Sequence, residues 1–444
     1  MGIKLGGKVM ESIWEKETPR VRFDALEGNK STDVLIIGGG IAGILCAYQL
    51  KKAGVDCLLA EVTEICGGIT KNTTAKITLQ HGLMYDKMMR RFDKDKARLY
   101  AKAQTEALKE YARLCQKIDC DFEIRDSYVY SMSDRTKIEK EVASLNQIGV
   151  KAEFSKAQEL PFKVAGAVLV KDQAQFHPLK FLYAIAKDLP IYEHTKIIEL
   201  MPYKARTNHG EITYKKLIVA THFPILNKHG LYPLKLYQHR SYVLALKGAQ
   251  NVDGMYVDES DTGLSFRGYG DLLLLGGGGH RTGKSGGCWQ ELEAFAKKHY
   301  KDAEIVEKWA TQDCMTLDGI PYIGQYARST PDVFVATGFN KWGMTNAMVA
   351  ANILCDLVTG KPNRYAEVFS PSRSMLTPQL AVNAFDSIVG LLTPTVPRCP
   401  HLGCSLKYNR AEHTWDCPCH GSRFTKEGKL INNPATDDHP SIKP

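Results

Sequence analysis

Four cysteines and two histidines crowd into two short segments, Cys399-Pro-His401-Leu-Gly-Cys404 and Cys417-Pro-Cys419-His420. The pattern is C-x-H, fifteen residues, then C-x-x-H. Thiolate sulfur and imidazole nitrogen are the donors that hold zinc or iron, so Cys399, His401, Cys417 and His420 can bind one zinc ion or a 2Fe–2S cluster. Zinc would make the segment a structural or interaction module. Structural zinc sites usually use C-x-x-C knuckles rather than C-x-H. Each loop also carries one further cysteine, Cys404 and Cys419, which favours the cluster. The other eight cysteines are scattered, as expected of ordinary thiols in a reducing compartment.

A second chemistry sits near the other end. Asp33-Val-Leu-Ile-Ile-Gly38-Gly39-Gly40-Ile41-Ala42-Gly43 is a buried strand running into G-x-G-x-x-G. Gly38 permits the tight turn, Gly40 lets backbone N–H groups approach a pyrophosphate, and Gly43 lets helix and strand pack closely. The helix N-terminus adds partial positive charge for the phosphates. Glu61 closes the next apolar stretch, eighteen residues after Gly43, where a carboxylate accepts ribose hydroxyls. The motif alone does not separate FAD from NAD.

The elements that position these groups can be read coarsely. At 444 residues, 44% hydrophobic and 24% charged, the chain is an ordinary globular protein of two to four domains. A net charge of +9 is mild over this length and indicates no nucleic acid. Residues 84–119 repeat apolar positions at helical spacing among lysines and arginines, the mark of amphipathic helices with a solvated face. Residues 215–221, 271–279 and 331–338 read as buried strands, and 349–358 as helix. Residues 1–30 read as a polar lead-in. Five prolines between 361 and 397 read as a linker with one short helix. The longest apolar run, 34–50, holds four glycines and is no membrane span. Residues 1–20 have no apolar signal region, so a cytoplasmic protein is expected, with peripheral membrane contact left open. Gly278-Gly-His-Arg-Thr-Gly283-Lys284-Ser285 matches the P-loop pattern, but Gly286 and Gly287 follow where its helix should run. It is expected to be a glycine-rich turn.

Residues 38–61, 67–82 (GGITKNTTAKITLQHG), 216–225, 317–324 and 336–354 (ATGFNKWGMTNAMVAANIL) together resemble the D-amino-acid oxidase-like superfamily of FAD-dependent oxidoreductases. The resemblance spans about residues 30–365. It implies FAD held by Gly38, Gly40, Gly43 and Glu61, by a loop carrying Thr70, Thr74, Ala75 and Lys76, and by Gly338, Gly343, Met344 and Thr345. The helix after Gly343 would aim its positive end at the flavin. The implied fold is α/β: a Rossmann-like FAD-binding domain (about 31–85, 165–225 and 310–365) with an interleaved α+β substrate domain (about 86–164 and 226–309). A linker at 366–395 and a small iron–sulfur module at 396–444 follow. Substrate-side candidates are His177, Arg267 and Trp342, with Tyr242 and Tyr269 behind them.

Residues 396–435 resemble the Rieske cluster-binding motif of cytochrome bc-type complexes. The resemblance implies Cys399 and Cys417 on one iron, His401 and His420 on the other, and a Cys404–Cys419 disulfide tying the loops. Ser422 is kept as a hydrogen-bond donor to the cluster, but Phe424 stands where those proteins have tyrosine. The module is also short before Cys399, so its loops are expected to lean on the flavin domain. The two resemblances imply an enzyme that oxidises a small amine, amino acid or hydroxy acid. Electrons would pass singly through the cluster to an external acceptor, a protein or a quinone. The alternative is a redox sensor or electron carrier without a substrate of its own.

Overall fold

The computed structural model describes residues 4–5, 8–9, 11–226, 229–394, 397–439 and 442; the expected boundary at 395/396 lies outside them. An eight-stranded sheet carries the dinucleotide half. Lys30–Ile37 lies parallel between Cys57–Ala60 and Glu211–Val219, and Val333–Thr337 pairs in parallel with the last. Parallel strands are covered on both faces, and Val34–Ile37 is accordingly buried throughout. The helix Ile41–Lys52 packs behind this sheet, followed there by Gly343–Val358.

A nine-stranded sheet stands against it. Its long members are Leu236–Lys247, Leu272–Arg281, Glu304–Thr316, Glu123–Ser131 and Gly166–Gln175. Gly166–Gln175 and most of Glu304–Thr316 therefore belong with the substrate half, although 165–225 and 310–365 were assigned to the cofactor half. A buried apolar strand reads alike whichever sheet it joins, so local pattern could not place them. The amphipathic stretch forms two helices, Tyr85–Arg91 and Lys94–Cys115.

Two expected loops are ordered structure. In the lead-in, Ile13–Glu17 is a helix opened by a capping box between Ser12 and Glu15. Its Trp14 is fully buried, donates to the Thr73 carbonyl at 2.8 Å, and packs on His177 and Tyr269. In the linker, Pro378–Leu392 is a fifteen-residue helix. Pro378 starts it rather than breaking it, because proline suits the first helical turn and Thr377 Oγ1 caps the Leu380 N–H. Its inner face, at Asn383 and Gly390, is buried, while Phe385, Ile388 and Leu392 face solvent.

The C-terminal module is a four-stranded antiparallel sheet, Lys407–Asn409, Thr414–Asp416, Arg423–Thr425 and Leu430–Asn432. No helix among the described residues is long and apolar enough to cross a membrane.

Candidate active site and metal centre

A cavity of about 1540 Å³ runs between the two large sheets. That exceeds the roughly 300–1,000 Å³ of small-ligand pockets and leaves room for a dinucleotide and a second molecule. Gly38, Gly40, Glu61, Thr70, Thr74, Lys76, Gly338, Gly343 and Met344 line it. Gly43, Ala75 and Thr345 lie one layer behind. A Cβ on Gly43 would fall 1.9 Å from the Gly38 carbonyl oxygen, so its role is close packing of helix on turn. Thr345 donates to the Thr78 carbonyl at 3.1 Å. Glu61 accepts from the Gly39 N–H at 2.7 Å and from Thr63, which fixes its carboxylate at the cavity edge. Lys76 is buried, and burial followed by the nearby Arg267 charge lowers its amine to about 7. The bare glycine turn, the open helix start and the carboxylate fit a dinucleotide.

Three substrate-side expectations need correction. His177 lies outside the cavity, fully buried, as the N-cap of Pro178–Ala186: its Nδ1 accepts from the Lys180 N–H, and Nε2 meets Thr18 Oγ1 at 3.1 Å. Arg267 is fully buried and donates to the Thr74 and Ala75 carbonyls, bracing the threonine-rich loop from behind. Tyr269 bonds to Glu17 and Asp121. Trp342 does line the cavity, stacked 5.0 Å from His81. Tyr242 bonds to Glu412 of the C-terminal module.

That module carries the second centre. Cys404 and Cys419 are disulfide-bonded, with Cα atoms 6.6 Å apart. The sulfurs of Cys404, Cys417 and Cys419 gather within 4.8 Å, but two of them are spent in the bridge. Cys417 bonds to Cys399, which lowers the Cys399 thiol to about 7 and raises Cys417. The imidazoles of His401 and His420 stand perpendicular at 5.0 Å, and His420 Nδ1 is buried with no hydrogen bond. Two adjacent buried thiols and two converging rings, one with an orphaned nitrogen, fit a 2Fe–2S cluster with mixed ligation.

The cluster loops lean on the flavin half, as their shortness implies. Phe223, fully buried, meets both imidazoles edge-on at 6.1 and 6.2 Å. The two residues before it, Thr221 and His222, line the cavity. Gln312 donates to the Gly421 carbonyl at 2.9 Å, and a Cβ on Gly421 would strike Gln238. The P-loop look-alike serves this interface: Gly283 abuts Pro418, and Lys284 pairs with Asp386. Gly390 of the helix Pro378–Leu392 presses on the disulfide, its missing Cβ only 2.4 Å from Cys419 Sγ.

A buried ion network that sequence reading missed locks the module in place. Glu412 pairs with Arg240 of the flavin half and with Arg423, which also pairs with Asp416 at 3.0 Å. All four are at most 2% exposed. Burial alone would raise the Glu412 carboxyl; Arg240 and Arg423 hold it down to about 2. Nothing in local sequence pairs residue 240 with residue 412.

Ser422 is fully buried beside Cys399, and Phe424 packs among the four cluster-loop cysteines. Phe424→Tyr adds a hydroxyl there. A hydrogen bond worth about 1 kcal/mol favours the reduced, more negative cluster by about 40 mV on a one-electron couple. A redox titration followed by EPR should show this rise; an unchanged or lower midpoint would remove Phe424 from the cluster's surroundings.

Comparison with known proteins agrees with this anatomy. The FAD dependent oxidoreductase family matches residues 33–357, and the Rieske [2Fe-2S] domain matches residues 382–443. The chain is 33% identical to YhfW of Bacillus subtilis (strain 168), named as a Rieske 2Fe-2S iron-sulfur protein, over 96% of each chain. It is 24% identical to gamma-glutamylputrescine oxidoreductase of Escherichia coli (strain K12), covering 77% of this chain and 87% of that one. Glycine oxidase from Geobacillus kaustophilus shares the fold, with a TM-score of 0.66 at 18% identity over 78% of this chain and 99% of that one. The chain therefore belongs to the FAD dependent oxidoreductase family and carries a C-terminal Rieske domain that binds a 2Fe–2S cluster.

Proposed function

We propose that the chain oxidises a small amine, amino acid or hydroxy acid and delivers the electrons one at a time to an acceptor outside itself. FAD, when bound, takes a hydride, and a 2Fe–2S cluster, when bound, carries single electrons. One observation carries the reading: the two cluster imidazoles face inward, onto Phe223, which directly follows the cavity-lining Thr221 and His222. A module placed only to meet outside partners would turn them to solvent.

The chain's own residues then have distinct tasks. Gly38, Gly40 and the N-terminus of Ile41–Lys52 receive the pyrophosphate, and Glu61 the ribose. Arg267 and Trp14 hold the threonine-rich loop in place. Trp342 closes the cavity beside His81. Cys399, His401, Cys417 and His420 hold the cluster, with Cys404–Cys419 tying their loops. The acceptor, a protein or a quinone, belongs at the outer end of the module. There Leu402 is exposed beside the outward side chains of Pro378–Leu392; contact with a membrane surface is part of the same reading.

The test is an anaerobic mixture of protein and substrate, watched by absorbance and EPR. Flavin bleaching followed by the signal of a reduced Rieske cluster is expected. Bleached flavin beside a cluster that stays oxidised would end the proposal, as would zinc without iron on metal analysis.

A further inference from the structure

The cavity extends beyond the residues that suit a dinucleotide. Its far wall is one face of the paired strands Leu236–Lys247 and Glu304–Thr316. His239 and Asp313 lie directly opposite each other in that pairing, so their side chains neighbour each other on one face. Tyr237, Ser241, Thr311 and Met315 share that face by alternation, and all line the cavity.

Asp313 itself lines the cavity. Among the described residues its carboxylate takes part in no hydrogen bond, and the charges that act on it are Lys341 and Arg240. Both cations are engaged elsewhere. Arg240 holds Glu412, and Lys341 Nζ donates to the Asp261 carbonyl at 2.6 Å. His239 is 5% exposed, and its Nδ1 has no hydrogen-bond partner. Burying the imidazole nitrogen without a partner is costly, and beside it Asp313, half-buried, turns an unpartnered carboxylate to the cavity; a native site of this kind is one a ligand completes.

The ligand's charge follows from the unpartnered carboxylate. Asp258, Glu259 and Asp261 line the same cavity, as do Arg240 and Lys341 with the partners named above. Burial, followed by the neighbouring Lys341, Arg240 and His280 charges, lowers His239 to about 3, so the imidazole is neutral. The group that suits a bare carboxylate beside a neutral imidazole is a cation carrying N–H donors.

We propose that Asp313, with His239 beside it, is the binding site for the protonated amino group of a cationic amine substrate. This rests on the function proposed above and narrows its substrate class to amines that need no carboxylate. The carboxylate and the ammonium pair as ions; the proton that must leave the nitrogen before hydride loss goes to water, which leaves the nitrogen lone pair free. Burial raises the Asp313 carboxyl to about 6, with Lys341 and then Arg240 opposing. At pH 7 it is thus ionised and able to pair with the ammonium.

The test uses FAD-loaded protein and two probes of matched shape and opposite charge. tert-Butylamine has no hydrogen on its α-carbon and cannot be oxidised; pivalate carries a carboxylate in place of the amine. Calorimetry should show the amine binding at least tenfold more tightly than pivalate. Asp313→Asn should weaken the amine at least tenfold and leave pivalate unchanged or tighter. Amine affinity should rise with pH through about 6 in the native protein, where Asp313 ionises, and stay flat in the variant. Asp313→Ser serves as the second variant if the amide disturbs folding, judged by flavin content and melting temperature. Preference for pivalate, binding of neither probe, or equal amine affinity in native protein and variant overturns the inference. Protein that purifies without FAD would instead overturn the function on which it rests.

Discussion

Glu412→Ala loses about 3–5 kcal/mol of stability, the cost of leaving buried charges without their partner. The carboxylate accepts from Arg240, Arg423 and Tyr242, and the residue is fully buried. Removing it strands the Arg240 guanidinium in the interface between module and flavin half and leaves Arg423 with Asp416 alone. Denaturant unfolding measures the loss, and proteolysis within 366–395 should release the module from the variant first. A cost below about 1 kcal/mol would match an exposed pair and show that the network does not hold the module. Acid should act in the same direction. A carboxyl depressed in the folded state stabilises above its unfolded value of 4.5, and that stabilisation is lost as pH falls toward about 2.

Gly38→Ala should lower FAD affinity at least tenfold, about 1.4 kcal/mol. Gly38 has φ of +110°, and a Cβ there would fall 2.6 Å from the Ala220 carbonyl oxygen, a backbone atom. The alanine brings backbone strain of about 1–3 kcal/mol and pushes the turn away from the strand end that places the pyrophosphate. Gly54→Ala is the control: φ is +74°, but nothing lies within 4 Å of the new methyl group. It should lose some stability and keep its flavin. Equal flavin content in the two variants, measured after purification and by fluorescence titration, would count against the close approach at Gly38.

What was legible in the sequence was whatever a short stretch of chain decides. The glycine turn with Glu61 and the Cys/His loops each act through residues close in sequence, and the structure brings each set together. The substrate wall was not legible. Asp313 and His239, 74 positions apart in the chain, meet only because two strands pair at one register. His177 stands out by its place in the segment QAQFHPLKF, yet a histidine there caps the helix that follows. Five prolines suggest a linker with one short helix, and the helix runs to fifteen residues because proline after a capping threonine starts a helix. Trp14 sits among charged residues, and only tertiary contacts reveal that it is buried.

That burial has a consequence for the order in which the protein is made. Trp14 leaves the ribosome before all of its partners, Thr73, His177, Arg267 and Tyr269. At about 5–20 residues per second, some tens of seconds pass between its synthesis and that of Tyr269. Throughout that time a tryptophan destined for the interior has nowhere to dock, and the threonine-rich loop lacks its clasp. Flavin capture is therefore a late event in the life of the nascent chain, and Trp14, made before all of its partners, is among the last residues to find its place.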